Sequence, residues 1–511
     1  MLVLRARKGS AVKFKNVVTK TRVIKNYRTK ILQSIKDSIQ EKFRDAYEQD
    51  RQNPMGFLEN LGWMYQDIIR IDSDVVKCFP ADWKMRELYI RQYHRALDET
   101  IRRIVADEPE ASALLALHAW LKEYRENMNE LNIPPEFIQP PLLAGKEQDL
   151  IEDYLGVIVK KLDEWTENLM KTEVETFTLR KDSPEFDADG QYGTHGAVFL
   201  FQMINQQVDL AIETGQGAIL ARVITDVDRV LRGIQDQWTK VIDSEFKKQV
   251  EKLEEVPPGL VEYCIALAND QIKCADYAET LSARVEPLVS DKYRIVINER
   301  LNDAIDGHLD VAKKCTQTLI NMVFNDLKPA TKQLFQPPWY DGIMAQVIDT
   351  MKDYAKDYND YLSPTLFELL IADLLDTFIV TYLTALAKAS KLRLPAAPNR
   401  IRADVEAAFE FFGAYKKVEE LKGDFEVVEM ILSMLEASKS MVFLSYWSFA
   451  KVHGPNVAFV ESLMKCRDDF DRSAVSEVME SVKRKVREES IQEREFFHCP
   501  GLSVLTPFSC S

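Results

Sequence analysis

Residues 196–255, GAVFLFQMINQQVDLAIETGQGAILARVITDVDRVLRGIQDQWTKVIDSEFKKQVEKLEE, contain no proline, and their reading decides the fold class. From Leu220 onward the apolar residues Leu220, Val223, Val227, Val230, Ile234, Trp238, Val241, Phe246, Val250 and Leu253 recur in steps of three to five. That is the period of an α-helix with one face built for burial. Arg222, Asp226, Asp228, Arg229, Arg232, Gln235, Asp236, Lys240, Asp243, Lys247 and Lys248 fall on the other face, a charged surface expected to be solvated. Gly215 and Gly217 each weaken a helix by about 1 kcal/mol relative to alanine, so a break is expected at 214–217. The segment beyond it, 218–254, would be about 55 Å long at ~1.5 Å per residue. A helix of that length points to a rod, and the rest of the chain reads as built around it.

Outward from this stretch the composition agrees. With 511 residues, 46% of them hydrophobic and only 18 glycines, the chain can fill continuous cores but lacks the turn chemistry of a sandwich or barrel. The expected fold is all-α. Seven cysteines, at 78, 264, 274, 315, 466, 499 and 510, form no CxxC pair and sit mostly in helical patterns, as reduced core residues of a cytosolic protein do. The most apolar run, Leu366 to Ala389, is interrupted by Glu368, Asp373, Asp376 and Lys388, so no membrane span is expected. Residues 1–36 hold eleven Lys or Arg and no acid, leaving 55 basic against 81 acidic residues, −26, elsewhere. So acidic a body repels nucleic acid. The basic leader is open to three readings: a foot for anionic lipid, a transit peptide, or the remnant of a longer chain.

Prolines divide the chain. After the leader 1–26, Ile31, Ile35, Ile39 and Phe43 make 27–49 an amphipathic helix that Asn53-Pro54 ends. Asp82 is the expected N-cap of a helix from Trp83 to Val105, and Pro109 opens another, with Leu114, Leu117, His118, Leu121, Tyr124, Met128 and Leu131 on one side. Pro134, Pro135, Pro140 and Pro141 forbid helix and favour an extended strap. A helix over 149–172 and a loop over 183–196 lead into the opening stretch, which Pro257-Pro258-Gly259 closes. Helices over 260–285 and 290–325, a strap with Pro329, Pro337, Pro338 and Trp339, a helix from Ile343 to Tyr361, and one from Ser363-Pro364 to Lys391 follow. Three more, over 400–421, 425–451 and 456–487, complete the count. The expected organisation is consecutive antiparallel bundles at 27–132, 133–256, 257–394 and 395–490, then an irregular tail, 491–511. No 34- or 40-residue repeat suggests a regular solenoid.

Chemistry-bearing patterns are few. Gly215-Gln216-Gly217 follows helix rather than strand, so it reads as a helix break and not a dinucleotide fingerprint. Ala144-Gly145-Lys146 lacks the upstream glycine of a phosphate loop, whose place Pro140 takes. The histidines, 94, 118, 195, 308, 453 and 498, show no zinc-binding spacing, and His118 reads as a core or boundary residue. Asp349, Asp353, Asp357 and Asp360 share a helix face diluted by Lys352 and Lys356, a solvated face rather than a cation site. Asp468-Asp469-Phe470-Asp471 is the nearest approach to the DDxxD metal motif of an enzyme on an all-α scaffold, but it has no acidic partner motif. Lys483, Arg484, Lys485 and Arg487 suit a helix C-terminus, with an acidic-lipid or partner contact as the other reading. No catalytic, cofactor-binding or metal residue is assigned, and neither a cofactor nor a small-molecule substrate is expected.

Two segments carry a resemblance. Leu117-His118-Ala119-Trp120-Leu121 with Tyr124, Ile133-Pro134-Pro135, Pro140-Pro141-Leu142-Leu143, Gly145-Lys146-Glu147, Tyr154-Leu155 and Trp165 form one. Phe199-Leu200-Phe201-Gln202-Met203-Ile204-Asn205-Gln206-Gln207, running on to Gly215-Gln216-Gly217, forms the other. In this order they resemble the fungal form of the Sec-six family of exocyst subunits, from about Tyr27 to Arg487. The resemblance implies a rod of end-to-end helical bundles and a non-enzymatic role, tethering secretory vesicles to the plasma membrane before SNARE-mediated fusion. Implied partners are the other exocyst subunits, a plasma-membrane SNARE and its regulator. The implied location is cytoplasmic, peripheral at sites of exocytosis such as a bud or hyphal tip. Family members carry a long helical N-terminal portion that zips subunits together. This chain is expected to lack it, and so to fold as a soluble rod that enters the complex poorly. Another helical-repeat scaffold or tether is the alternative.

Overall fold

The computed structural model describes residues 25–50, 53–107, 111–252, 254 and 256–489, so the leader to residue 24, Pro109, Leu253, His498 and the tail lie outside the described residues. The chain divides into two compact units, Met1–Val157 and Ile158–Ser511. Both are all-α apart from one small hairpin and an isolated bridge among the described residues.

In the first unit, α1 (Tyr27–Gln49) packs on α4 (Met85–Ala106), with α2 (Pro54–Glu59), α3 (Gly62–Arg70) and α5 (Ala111–Glu130) around them. Ile39, Phe43 and Tyr47 of α1 are buried, whereas Ile31 is exposed. Asn53-Pro54 starts a helix as well as ending one, because the Asn53 side chain accepts the Gly56 N–H at 3.1 Å and proline needs no donor there. Asp82 caps nothing. It lies in a short 3-10 turn, and α4 begins after Lys84, which takes a left-handed φ of 47°. The proline strap is only partly extended: Pro135–Phe137 and Leu142–Gly145 close into 3-10 turns, because α4 supplies partners for the strap's backbone. His94 bonds the Pro140 carbonyl at 2.7 Å, and Asp98 accepts the Leu143 N–H at 2.7 Å.

Helix α6 (Glu147–Leu179) runs past the unit boundary. In the second unit, the hairpin β1 (Glu185–Phe186) and β2 (Tyr192–Gly193) leads to α7 (Gly196–Glu213) and α8 (Gly217–Glu251). The expected break falls between them, with Gly215 at φ 64°, where a left-handed residue ends a helix. A Cβ on Gly217 would meet the Tyr293 ring at 2.9 Å.

The helix most enclosed by its neighbours is α9 (Leu260–Val285), rather than the long helix before it. Tyr263 to Gln271 are all buried, and α9 packs against α10 (Asp291–Thr331), α7, α8 and β2. Small residues such as Cys264, Ala266, Ala268, Cys274 and Ala278 let several helices approach it at once. The face of α8 expected to be solvated is partly interior too. Asp228 and Gln235 are buried and Val250 is exposed, since α10 covers a wider arc of α8 than the apolar stripe alone defines. The Arg232 guanidinium pairs with Asp228 at 2.8 Å, and the Gln235 amide donates to the Ala304 carbonyl at 2.9 Å.

The remainder is α11 (Ile343–Tyr361), α12 (Pro364–Ala387), α13 (Ala396–Phe412), α14 (Val418–Glu436), α15 (Val442–His453), α16 (Val457–Cys466) and α17 (Arg472–Glu488). Pro329 lies inside the last turn of α10 rather than in a strap, where a single lost donor is tolerated. Five helices, not three, follow residue 395, because side chains supply caps within the stretches read as continuous. Arg467 donates to the Met434 and Ala437 carbonyls at the end of α14, and Asp471 accepts the Ala474 N–H at the start of α17. Helix α12 is long and apolar enough to cross a membrane by length and composition, yet Leu370, Ile371, Leu374, Leu375 and Leu383 are packed into the second unit, as in a core helix.

Candidate interaction surface

Helix α9 carries Asn269-Asp270-Gln271 in its buried stretch, and each is committed to a different neighbour. The Asn269 amide donates to the Tyr192 carbonyl at 2.7 Å and the Tyr361 carbonyl at 2.9 Å, while its oxygen accepts the Ser363 N–H at 2.8 Å. One buried side chain thus pins the hairpin to the α11–α12 corner. Asp270 accepts the Ala197 N–H at 3.0 Å, at the start of α7, and desolvation pushes its carboxyl up to about 7. Glu173 of α6 lies beside Gly196 at the same helix start, its carboxyl also raised by burial. Gln271 bonds His308 at 2.8 Å, and burial lowers that imidazole to about 4.

What Asn269 holds together opens onto the surface. Phe186, 60% exposed, stacks on Tyr192 with ring centroids 5.0 Å apart, and Tyr192 meets Tyr361 at 4.4 Å. The hairpin turn is fixed in its turn, since Asp187 accepts the Asp189 and Gln191 N–H groups and pairs with Lys273 at 2.9 Å. Burial, then the charges of Tyr361, Glu262 and Asp357, raise the Tyr192 phenol.

Three further polar latches are internal. Arg180, with its side chain fully buried, pairs with Glu245 at 2.9 Å and donates to the Phe177 and Pro257 carbonyls, joining the ends of α6 and α8 to the start of α9. Asp404 accepts the Trp339 indole N–H at 2.6 Å and the Tyr382 hydroxyl at 2.9 Å. Arg467 is held by Asp469 through two bonds, at 2.9 and 2.7 Å, with Phe470 under its guanidinium.

The residues flagged in the sequence are dispersed. Asp469 and Asp471 are engaged as described, and Asp468 accepts the Leu394 N–H at 3.1 Å. Asp349, Asp353, Asp357 and Asp360 are exposed along α11. At Ala144-Gly145-Lys146 the amides that a phosphate loop would offer are already engaged, since the Ala144 and Lys146 N–H groups donate to the Pro141 and Leu143 carbonyls at 2.9 and 3.2 Å. His118 is half-buried. His195 bonds Glu185 at 2.9 Å, at the surface. Cys264, Cys274, Cys315 and Cys466 are buried free thiols and Cys78 is an exposed one. Lys483 pairs with Glu461, Lys485 with Glu489 and Arg484 with Glu488, so three of the four terminal cations are partnered.

Sequence reasoning missed the α9 polar run and the surface it supports. A signal was present: three consecutive residues sweep about 200° of a helix at 3.6 residues per turn. Asn269-Asp270-Gln271 therefore cannot all face away from a core that surrounds them.

An all-α frame in which Asp468, Asp469 and Asp471, the nearest approach to a metal motif, are spent on caps and latches defines a helical scaffold. The chain belongs to the Sec6 family of exocyst complex components, whose model matches residues 3–472. That match takes in the basic stretch before Tyr27 as well. The chain is 28% identical over 472 residues to exocyst complex component sec6 of Schizosaccharomyces pombe, covering 91% of this chain and 62% of that protein. It is 28% identical over 490 residues to SEC6 of Saccharomyces cerevisiae, covering 91% and 61%. It thus spans about three fifths of the length of these relatives. The crystal structure of the C-terminal domain of the exocyst subunit Sec6p matches with a TM-score of 0.63 at 29% identity, over 68% of this chain and 95% of that one. That of M-Sec matches in fold, with a TM-score of 0.57 at 15% identity, over 89% and 78%.

Proposed function

We propose that this chain acts as a non-enzymatic subunit of the exocyst, tethering secretory vesicles to the plasma membrane before fusion. The observation that carries the reading is the family match over residues 3–472. The contacts that do this are made between proteins, along successive helical bundles. The other exocyst subunits are the first partners, and a plasma-membrane SNARE and its regulator are the next. The chain works in the cytoplasm, at the membrane periphery where secretion occurs, which in a fungus is a bud or hyphal tip. A scaffold rather than a catalyst is supported by where Asp98, Asp404, Asp468, Asp469 and Asp471 go: each binds the backbone or side chains of its own fold. Affinity purification of the tagged chain from a fungal cell tests the reading. Exocyst subunits are expected to co-purify; their absence, with a metabolic complex or chromatin in their place, would overturn it. Lipid contact through residues 1–26 is tested by flotation with anionic liposomes. Binding is expected to weaken above roughly 0.15 M salt, where charges are screened beyond ~8 Å, and to be lost when 1–26 are deleted.

A further inference from the structure

We propose that the face formed by Phe186, Tyr192 and Tyr361, with the carboxylates beside it, is a docking surface for an arginine-bearing basic segment of a partner protein. The inference goes beyond the tether reading, because it names the chemistry of one partner and holds for any protein scaffold.

Three observations converge on this surface. The rings are displayed rather than buried: Phe186 is 60% exposed at the edge of a two-residue strand, and Phe186, Tyr192 and Tyr361 touch one another with centroids 4.4 to 5.9 Å apart. An aromatic cluster left facing water in this way gains from a partner that covers it. The display is also rigid. Asn269, itself buried, bonds the backbone of both tyrosines, and Lys273 and Asp187 fix the turn between β1 and β2. Rings held in place before binding lose little conformational freedom when a ligand arrives.

Charge then selects the partner. Asp357 stands one helical turn before Tyr361 on α11, and Asp360 is exposed one residue before it; Glu262, like Asp357, raises the Tyr192 phenol through its charge. Among the described residues, none of these three carboxylates is in an ion pair. Asp349 and Asp353 continue the acidic row along α11, whereas Lys352 and Lys356 sit one position earlier, about 100° around the helix. An acidic surface with exposed π faces recruits cations. Of the two basic side chains, arginine suits it better, because its planar guanidinium stacks on a ring while its N–H groups reach a carboxylate in the same plane. Lysine, a compact and strongly hydrated charge, would feel the carboxylates but not the stack. A second helix of acidic character is disfavoured by the same charges.

The test uses the whole chain and two fluorescein-labelled peptides of equal length and charge, octa-arginine and octa-lysine, in fluorescence anisotropy at physiological salt. Octa-arginine is expected to bind about two- to fivefold more tightly than octa-lysine. Phe186→Ser is expected to abolish that preference while leaving octa-lysine affinity nearly unchanged. The pair Glu262→Gln and Asp357→Asn is expected to weaken both peptides and to flatten their salt dependence. Equal binding of the two peptides, or a preference that survives Phe186→Ser, would overturn the proposal. Phe186→Leu separates stacking from simple apolar cover: if it keeps the arginine preference, the π face is not what binds and the proposal fails. Circular dichroism shows that each variant is folded, and none of these outcomes depends on which proteins co-purify with the chain.

Discussion

Asp270 is a carboxylate held where charge is unwelcome. Desolvation raises it to about 7; Glu173 adds to the shift, and Thr194, the Ala197 N–H and Lys273 oppose it. An unfolded Asp titrates near ~3.9. Across the window from about 4 to 7 the folded chain therefore keeps a proton that the unfolded chain has released. Its contribution to stability falls as pH rises through that window and is flat above it. Asp270→Asn keeps an acceptor for the Ala197 N–H and cannot ionise. Its stability relative to the parent chain, from urea unfolding, is expected to improve between pH 5 and pH 8 by roughly 1–3 kcal/mol. A difference that does not change with pH would show that Asp270 is not the titrating group. His308, lowered to about 4 by burial, works the other way: its contribution is lost as pH falls below its unfolded value. The parent-minus-variant difference removes that opposing slope.

Where helices meet, side chains that look polar in sequence set the spacing. Gly307 lets α10 close on α8: a Cβ built there would lie 2.1 Å from the Gln235 side-chain oxygen. Alanine favours helix over glycine by about 1 kcal/mol, yet Gly307→Ala is expected to destabilise the chain by roughly 1–3 kcal/mol, because Gln235 must leave its buried bond to Ala304. Adding Gln235→Ala should recover part of that loss, and a double-mutant cycle in urea would read the coupling. Strict additivity would mean that the two residues do not meet. The latch at Arg180 is stiffer. Arg180→Met strands Glu245 with only Lys248 beside it and is expected to cost about 3 kcal/mol, whereas replacing both members of the pair by methionine should cost less. These sites also mark how far the sequence could be read. Periodicity placed α1, α8, α9 and α11 to within a few residues, because one apolar stripe per helix suffices for that. It could not see Gln235, Asp228 or Glu245 as interior, because Ala304, Arg300 and Arg180, which face them, lie more than 60 positions away. Nor could it see the breaks at 437–441 and 467–471, where Arg467 and Asp471 supply the caps. The surface at Phe186 was legible only as a loop, since Asn269, which assembles it, is 83 residues further on.

At the scale of the molecule, prolines mark where a helix cannot run but not which unit a turn belongs to. The strap at 133–145 is bonded to α4 through His94 and Asp98 in the first unit, while α6 begins directly after it and continues into the second. Of the residues that carry the resemblance, Leu117, Leu121, Tyr124, Leu142, Tyr154 and Gln207 are buried, while Ala119 and Phe199 are exposed. A cut that respects both units therefore belongs before Glu147, leaving α6 whole. Residues 147–489 are expected to fold alone, since the buried residues of α6 at Leu162, Met170 and Phe177 are kept, Phe177 packing on Trp238 of α8 and Tyr263 of α9, and since a C-terminal domain of a family member has been crystallised by itself. The fragment should show a helical circular dichroism spectrum and one cooperative urea transition. A fragment starting at residue 180 loses those three side chains, each deletion of this kind costing about 2–5 kcal/mol, and is expected to unfold at lower urea or to lose cooperativity. If instead both fragments unfold at the same urea concentration, α6 contributes nothing to the second unit and the division must be drawn after it.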